Sequence, residues 1–178
     1  QKPLNIAKAL LLAVVLFTTG PASAAEKPFP KTTEFVNDYA NVVEPADEQV
    51  LTKICQDLQT GHGYQMLILT LTTLDGEDTN HAAVRYLNEQ GAGRKGADTG
   101  VVLLLAMQER QVYIATGSGT EAVLTDAKAA RICRDIMRPL LREGRVGDAM
   151  KAGAESIVQV IVSGGESVPM PLDYGSRP

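Results

Sequence analysis

The chain of 178 residues has no tryptophan, three phenylalanines and five tyrosines. With so few aromatic faces, a stacking platform for bases or sugars is not expected. Cysteine is equally scarce: Cys55 and Cys133 are the only two, too few for a disulfide-framed miniprotein. Basic charge is not in excess, since 17 Lys and Arg stand against 21 Asp and Glu. The net charge of −4 argues against nucleic acid, because phosphate binding needs a concentrated basic surface. Long apolar runs are missing too. Ala9 to Phe17 (ALLLAVVLF) would span only about 14 Å as a helix, against about 30 Å for a bilayer core.

What is present is the composition of one globular domain, 44% hydrophobic and 21% charged. The first residues stand apart from it. Lys2 and Lys8 precede the apolar run, Gly20 and Pro21 break it, and Ala22-Ser23-Ala24-Ala25 follows. That is the order of a signal peptide, expected over residues 1–24. Cleavage after Ala24 would remove two lysines and no acid, leaving a more acidic exported chain, periplasmic or secreted if bacterial. Residues 25–33, with Lys27 to Lys31 reading KPFPK, are expected as a linker, 34–162 as the domain and 163–178 as a flexible tail.

Periodicity orders the domain. Glu34 to Val43 is mixed in character. Pro45 with Asp47 and Glu48 opens a helix whose stripe is Val50, Leu51, Ile54, Cys55 and Leu58, stopped by Gly61-His62-Gly63. Tyr64 to Thr73 is a strand buried on both faces. A helix from Thr79 to Glu89 follows, then strands Val101 to Ala106 and Gln111 to Thr116, whose short link makes an antiparallel hairpin. Thr125 and Asp126 cap a long helix in which Pro139 predicts a kink or break, and a last helix covers Val146 to Val162. The order α-β-α-β-β-α-α, with a right-handed crossover between the first two strands, predicts an α/β fold: a three-layer α/β/α sandwich with a small mixed sheet.

This topology gathers Asp98, Ser118, Glu121, Asp126 and His62 at one sheet edge, with Asp75 to Asp78 and His81 at the other. Carboxylates with loop carbonyls suit a hard cation such as Ca²⁺ or Mg²⁺; the plain counter-reading makes Asp126 a cap, Asp98 a turn residue and Glu121 a solvated side chain. Gly117-Ser118-Gly119 could hold an anion on backbone N–H groups, or form a tight turn. A Ser118–His62–carboxylate triad lacks the glycine-flanked nucleophile elbow, since Thr116 and Thr120 stand where its glycines belong. Cys55 and Cys133 lie on inward stripes and are either a disulfide or two small buried hydrophobes.

Several segments resemble the TPM domain family. Val36-Asn37-Asp38-Tyr39-Ala40-Asn41-Val42-Val43 is similar to its opening segment, and Gly93 through Leu104 (GRKGADTGVVLL) to its glycine-rich entry to a strand. Arg110 through Glu121 (RQVYIATGSGTE) and Thr125-Asp126-Ala127 match two further stretches in the right order. The resemblance implies an α/β/α sandwich, export and frequent membrane association. A protein partner or membrane-associated complex is expected and, from the charge balance, no nucleic acid. Some members resemble phosphatases or bind divalent cations near acidic residues, and the matching acidic positions here are Asp38, Asp98, Glu121 and Asp126. Two departures, Asn88-Glu89-Gln90-Gly91 where the family has a tryptophan and Thr99 in place of asparagine, bear on activity more than on fold. The expectation is an exported accessory or interaction domain binding Ca²⁺ or Mg²⁺ at an acidic rim. The alternative is a metal-assisted phosphatase in which Asp98 and Asp126 hold the cation and Asp38 completes the shell or acts as base.

Overall fold

The computed structural model describes residues 28–93, 96–166 and 168–169; the expected leader and its cleavage site lie outside the described residues. A short strand that periodicity does not reveal comes first, β1 (Val36–Asp38). Then follow α1 (Pro45–His62), β2 (Gln65–Leu71), α2 (Thr79–Gln90), β3 (Gly100–Ala106) and β4 (Gln111–Thr116). A single turn, α3 (Ser118–Glu121), leads to α4 (Asp126–Arg131), a π-helical stretch (Ile132–Met137), α5 (Arg138–Arg142) and α6 (Val146–Val162). Thr125 stands at the N-cap of α4 as expected, but its side chain makes no capping bond. Pro139 acts as its chemistry requires: it has no N–H to donate and its ring crowds the preceding turn, and the helix widens into π geometry just before it.

The four strands lie in the order β1-β2-β3-β4, the first three parallel and β4 antiparallel to β3. Alternation along the strands sorts the core. Met66, Ile68, Val101 and Leu103 face α1, the π-helical stretch and α6, while Leu67, Leu69, Val102 and Leu104 face α2. Each such buried side chain contributes about 1.5–3 kcal/mol. The result is the expected three-layer sandwich. One detail differs. The sheet advances in one direction from β1 to β3, yet α1 covers one face and α2 the other. The two crossovers are therefore of opposite hand, and only one obeys the right-handed rule.

On β4, Ile114 turns its N–H outward, where it meets the thiol of Cys133 on the π-helical stretch. Cys55 and Cys133 are both buried free thiols in the structure, rather than a disulfide. Burial pushes each up to about 12, which leaves neither a thiolate nucleophile near neutral pH.

The segment expected as a linker is docked. The Phe29 ring stands edge-on to Tyr86 with centroids 5.0 Å apart, and the Arg85 guanidinium lies 4.2 Å above the Phe29 centroid. The Phe29 N–H donates to Glu89 Oε2 (2.8 Å), and Gln90 accepts from the Thr32 N–H (3.2 Å) while donating to Pro30 O (2.9 Å). The start of the expected tail is docked as well: Gly165 N–H bonds Val160 O (2.8 Å), and Val168 packs against the larger core cluster.

Arg85 bridges Glu77 (2.7 Å) and Glu89 (2.9 Å) beneath this strap. The Arg85 hydrogen bond holds the Glu77 carboxyl below its ordinary 4.5. Burial pushes Glu89 up, but the Phe29 N–H and Arg85 outweigh it and the net shift is downward. Carboxyls lowered in the folded state stabilise fully above their unfolded value and lose that contribution as pH falls through the folded value. Thermal unfolding in a pH series below 4.5 should therefore show a steeper loss of Tm for the native chain than for Glu77→Gln. Tyr86 is fully buried, and its hydroxyl finds no partner among the described residues. Deleting that unpaired group in Tyr86→Phe should raise stability by about 1 kcal/mol in urea unfolding.

Candidate functional site

The start of β3 and the end of β4 lie side by side because the two strands are antiparallel, with Val101 opposite Thr116. The turns flanking them meet in close backbone contact. Gly117 N–H donates to Gly100 O (2.9 Å) and Gly119 N–H to Asp98 O (3.2 Å). A Cβ on Gly117 would lie 2.2 Å from Asp98 O, and one on Gly119 would lie 1.7 Å from Ala97 O. These two glycines are thus explained by the crossing of two backbones. The same contact holds Asp98 with φ at +46°, a left-handed conformation that Asp tolerates better than most residues. Its carboxylate Oδ2 accepts from Ser118 Oγ at 3.0 Å, on an exposed surface.

The predicted rim is therefore assembled in part. Asp98 and Ser118 are brought together. Glu121 is exposed at the end of α3 and Asp126 is exposed at the start of α4. After burial, the charge of Asp126 is the next influence pushing the Tyr113 phenol up. Among the described residues, no three His, Cys, Asp or Glu side chains come together as a metal cage.

Two of the three N–H groups offered to an anion, those of Gly117 and Gly119, are engaged by backbone carbonyls. Those of Thr120 and Glu121 are engaged as well, both by Gly117 O at 2.8 and 3.2 Å. A nest needs such donors unengaged. The triad geometry is not formed either, because Ser118 bonds directly to Asp98. His62 is exposed at the end of α1 and lines a groove between α1 and α6 with Ile54, Val158 and Val162. His81 sits on α2 beside Glu77, 3.0 Å away, at the other end of the sheet as expected.

Asp38 is the clear correction. Its register partner is Thr70, whereas Gly100 pairs with Gln65. Five residues along a strand separate the two levels, roughly 17 Å. Asp38 therefore cannot complete a shell around Asp98. Its carboxylate serves its own loop instead: Oδ1 accepts from the Val42 N–H (3.2 Å) and from Thr70 Oγ1, and Oδ2 from the Val43 N–H (2.8 Å). The loop so fixed carries Asn41 at φ +53° and delivers the chain to α1.

Beside Asp38 the structure opens a cleft that sequence reasoning missed, with a volume of ≈ 530 Å³. It runs along the outer side of β1 between the docked strap and the start of α1. Lys31, Glu34, Tyr39, Asn41 and Glu48 are among its walls. The only signal that could have found it was the pairing of Phe35-Val36 with later apolar strands, and three residues are too few for a period to show.

Residues 36–160 match the model of the TPM domain. The chain belongs to the TPM domain family. Solved structures agree. This TPM domain is 25% identical to the N-terminal domain of a P. gingivalis protein determined by NMR, with a TM-score of 0.70 over 77% of this chain and 87% of that one. The N-terminal domain of cg2496 from Corynebacterium glutamicum is 20% identical, with a TM-score of 0.58 over 86% of this chain and 96% of that one. The BA42 protein of the psychrophilic bacterium Bizionia argentinensis is 13% identical, with a TM-score of 0.57 over 68% and 83%. The last two establish likeness of fold alone. Comparison with curated proteins found no match. In this TPM domain the glycine-rich stretches build the interlocked turns under Asp98, while the opening Val-Asn-Asp segment is β1 and its self-bonded loop.

Proposed function

We propose that this TPM domain is an exported accessory domain that works by docking another macromolecule. The observation that carries the reading is the polar cleft of ≈ 530 Å³ beside β1, with Tyr39 exposed in its wall. Asp38, which would complete a hydrolytic shell around Asp98, lies at the other end of the sheet. Export is supported by the leader pattern of Lys2, Lys8, Ala9 to Phe17 and Ala22 to Ala25. N-terminal sequencing of the chain recovered outside the cytoplasm should begin at Ala25.

A divalent cation at the Asp98 rim is the finer part of the proposal. Asp98 would supply a carboxylate and Ser118 a hydroxyl, with water completing the shell, so the ion would be held weakly. NMR titration with Ca²⁺ or Mg²⁺ should shift the amides around Asp98 and Ser118; an unchanged spectrum there removes the cation and leaves docking standing. The decisive assay is phosphomonoester turnover in the presence of either cation. We expect no turnover above that of Asp98→Ala. Turnover that disappears in that variant would replace the docking reading with a metal-assisted hydrolase.

A further inference from the structure

Charge is spread unevenly along a chain whose net charge is −4. From Lys128 to Arg145 there are six Lys and Arg against two acids, Asp135 and Glu143. The helical run through α4, the π-helical stretch and α5 sorts these residues by face. Ile132, Cys133, Ile136, Met137 and Leu140 are buried in the larger core cluster. Arg131, Arg134, Arg138 and Arg142, three or four residues apart, are exposed on the outer side, a row about three turns long.

Little of that charge is spent inside the molecule. Asp135 is the one acid within the row: it accepts from Arg134 at 2.7 Å and lies 3.7 Å from Arg131, whose side chain stays 52% exposed. Glu143 turns to Arg145 (3.3 Å). Arg138 and Arg142 make no ion pair among the described residues.

Two features of the row select its partner. Each of its four cations is arginine, whose planar fork pairs a carboxylate through two parallel bonds, whereas an ammonium acts as a point charge. No large apolar side chain is exposed beside them: among the described residues Tyr39, Val50, Val84 and Val162 are the exposed ones, and all lie elsewhere. A helix that rests on a bilayer sinks an apolar face beneath the headgroups, and the apolar face of this one is already buried in the core. Charge complementarity without insertion fits a polar, acidic partner.

We infer that this row receives an acidic segment of a partner protein, whose glutamate or aspartate carboxylates, one helical turn apart, pair with the guanidinium groups of Arg131, Arg134, Arg138 and Arg142. The surface goes beyond the cleft beside β1 and is independent of it, since Cys133 seats this helix on β4, at the opposite edge of the sheet. Exposed ion pairs are weak singly and screened by salt, so the contact is transient and gathers its strength from several of them.

The test uses the folded, isotope-labelled chain and two capped helical peptides of alanine, with glutamate or with lysine at every fourth position. Near physiological ionic strength the glutamate peptide should shift the amides of residues 131–142, and the lysine peptide should not. Arg138→Glu with Arg142→Glu should weaken the glutamate peptide about tenfold, as the loss of two exposed pairs allows. Arg138→Lys with Arg142→Lys should weaken it by a smaller factor, because the charge remains and the fork is lost. Lys31→Glu with Lys53→Glu changes the net charge equally at two exposed positions on other elements and should leave binding nearly unchanged, since charges beyond about 8 Å are screened. Unperturbed core resonances report that each variant has folded. Equal weakening by the two charge reversals overturns the inference, because net charge and not the row would then be responsible. Binding to phosphatidylglycerol vesicles with none to the peptide overturns it in favour of a membrane, and self-association abolished by Arg138→Glu with Arg142→Glu overturns it in favour of a second copy. Peptide shifts confined to the β1 cleft overturn it while leaving docking intact; metal-dependent phosphomonoester turnover with no peptide binding overturns both.

Discussion

Gly119→Ala should cost about 3 kcal/mol or more in urea unfolding, at the upper end for a single added methyl group. The new carbon would sit 1.7 Å from Ala97 O, and a backbone oxygen cannot rotate aside as a side chain would. Relief requires the 96–99 turn to lift from the 117–119 turn. That movement breaks the Gly119–Asp98 backbone bond and the Ser118–Asp98 bond together. Gly61 is the control: it lies in α1 with nothing within 4 Å of where a Cβ would stand. Gly61→Ala should raise stability by up to about 1 kcal/mol. If Gly119→Ala melts with the native chain, the interlocked turns are not what holds the rim.

Asp38→Ala should lower stability by about 2–4 kcal/mol, because three donors lose their acceptor at once. Asp38→Asn, which keeps one acceptor oxygen, should recover about half of that loss in the same unfolding experiment. The result separates two roles that the sequence left open. A carboxylate that only held a cation or accepted a catalytic proton would leave Tm nearly unchanged when removed. A carboxylate that ties its own loop to β2 takes the entrance of α1 with it.

Why the sequence placed Asp38 at the wrong end follows from β1. The long elements were legible because burial imposes a period on them: the Leu51–Cys55–Leu58 stripe of α1 and the unbroken apolar runs of β2 and β3 each have enough residues to show it. Three residues reading Val-Asn-Asp show no period, and without β1 the sheet had no place for Asp38. The hairpin of β3 and β4 was legible from its four-residue link, and with it the meeting of Asp98 and Ser118. The single turn of α3 was not, since Ser-Gly-Thr-Glu carries turn residues and is held helical by tertiary contacts such as Thr120 Oγ1 to Gly100 O. Pro139 announced a disturbance but could not say that the helix would widen rather than stop. The docked strap was hidden because its prolines read as an extended connection, whereas its hold depends on Phe29 finding Tyr86 57 positions later.

The thiol that closes β4 has a consequence for how this protein fails. Sulfur is a feeble acceptor, so the seal on Ile114 depends on the helix staying seated, not on the strength of one bond. Heat or an alkylating agent that unseats Cys133 would bare the outward N–H of Ile114 at that edge. Chains in that state could stack edge to edge into ribbons. Irreversible clumping should then begin with the loosening of one helix, well before the sheet itself comes apart.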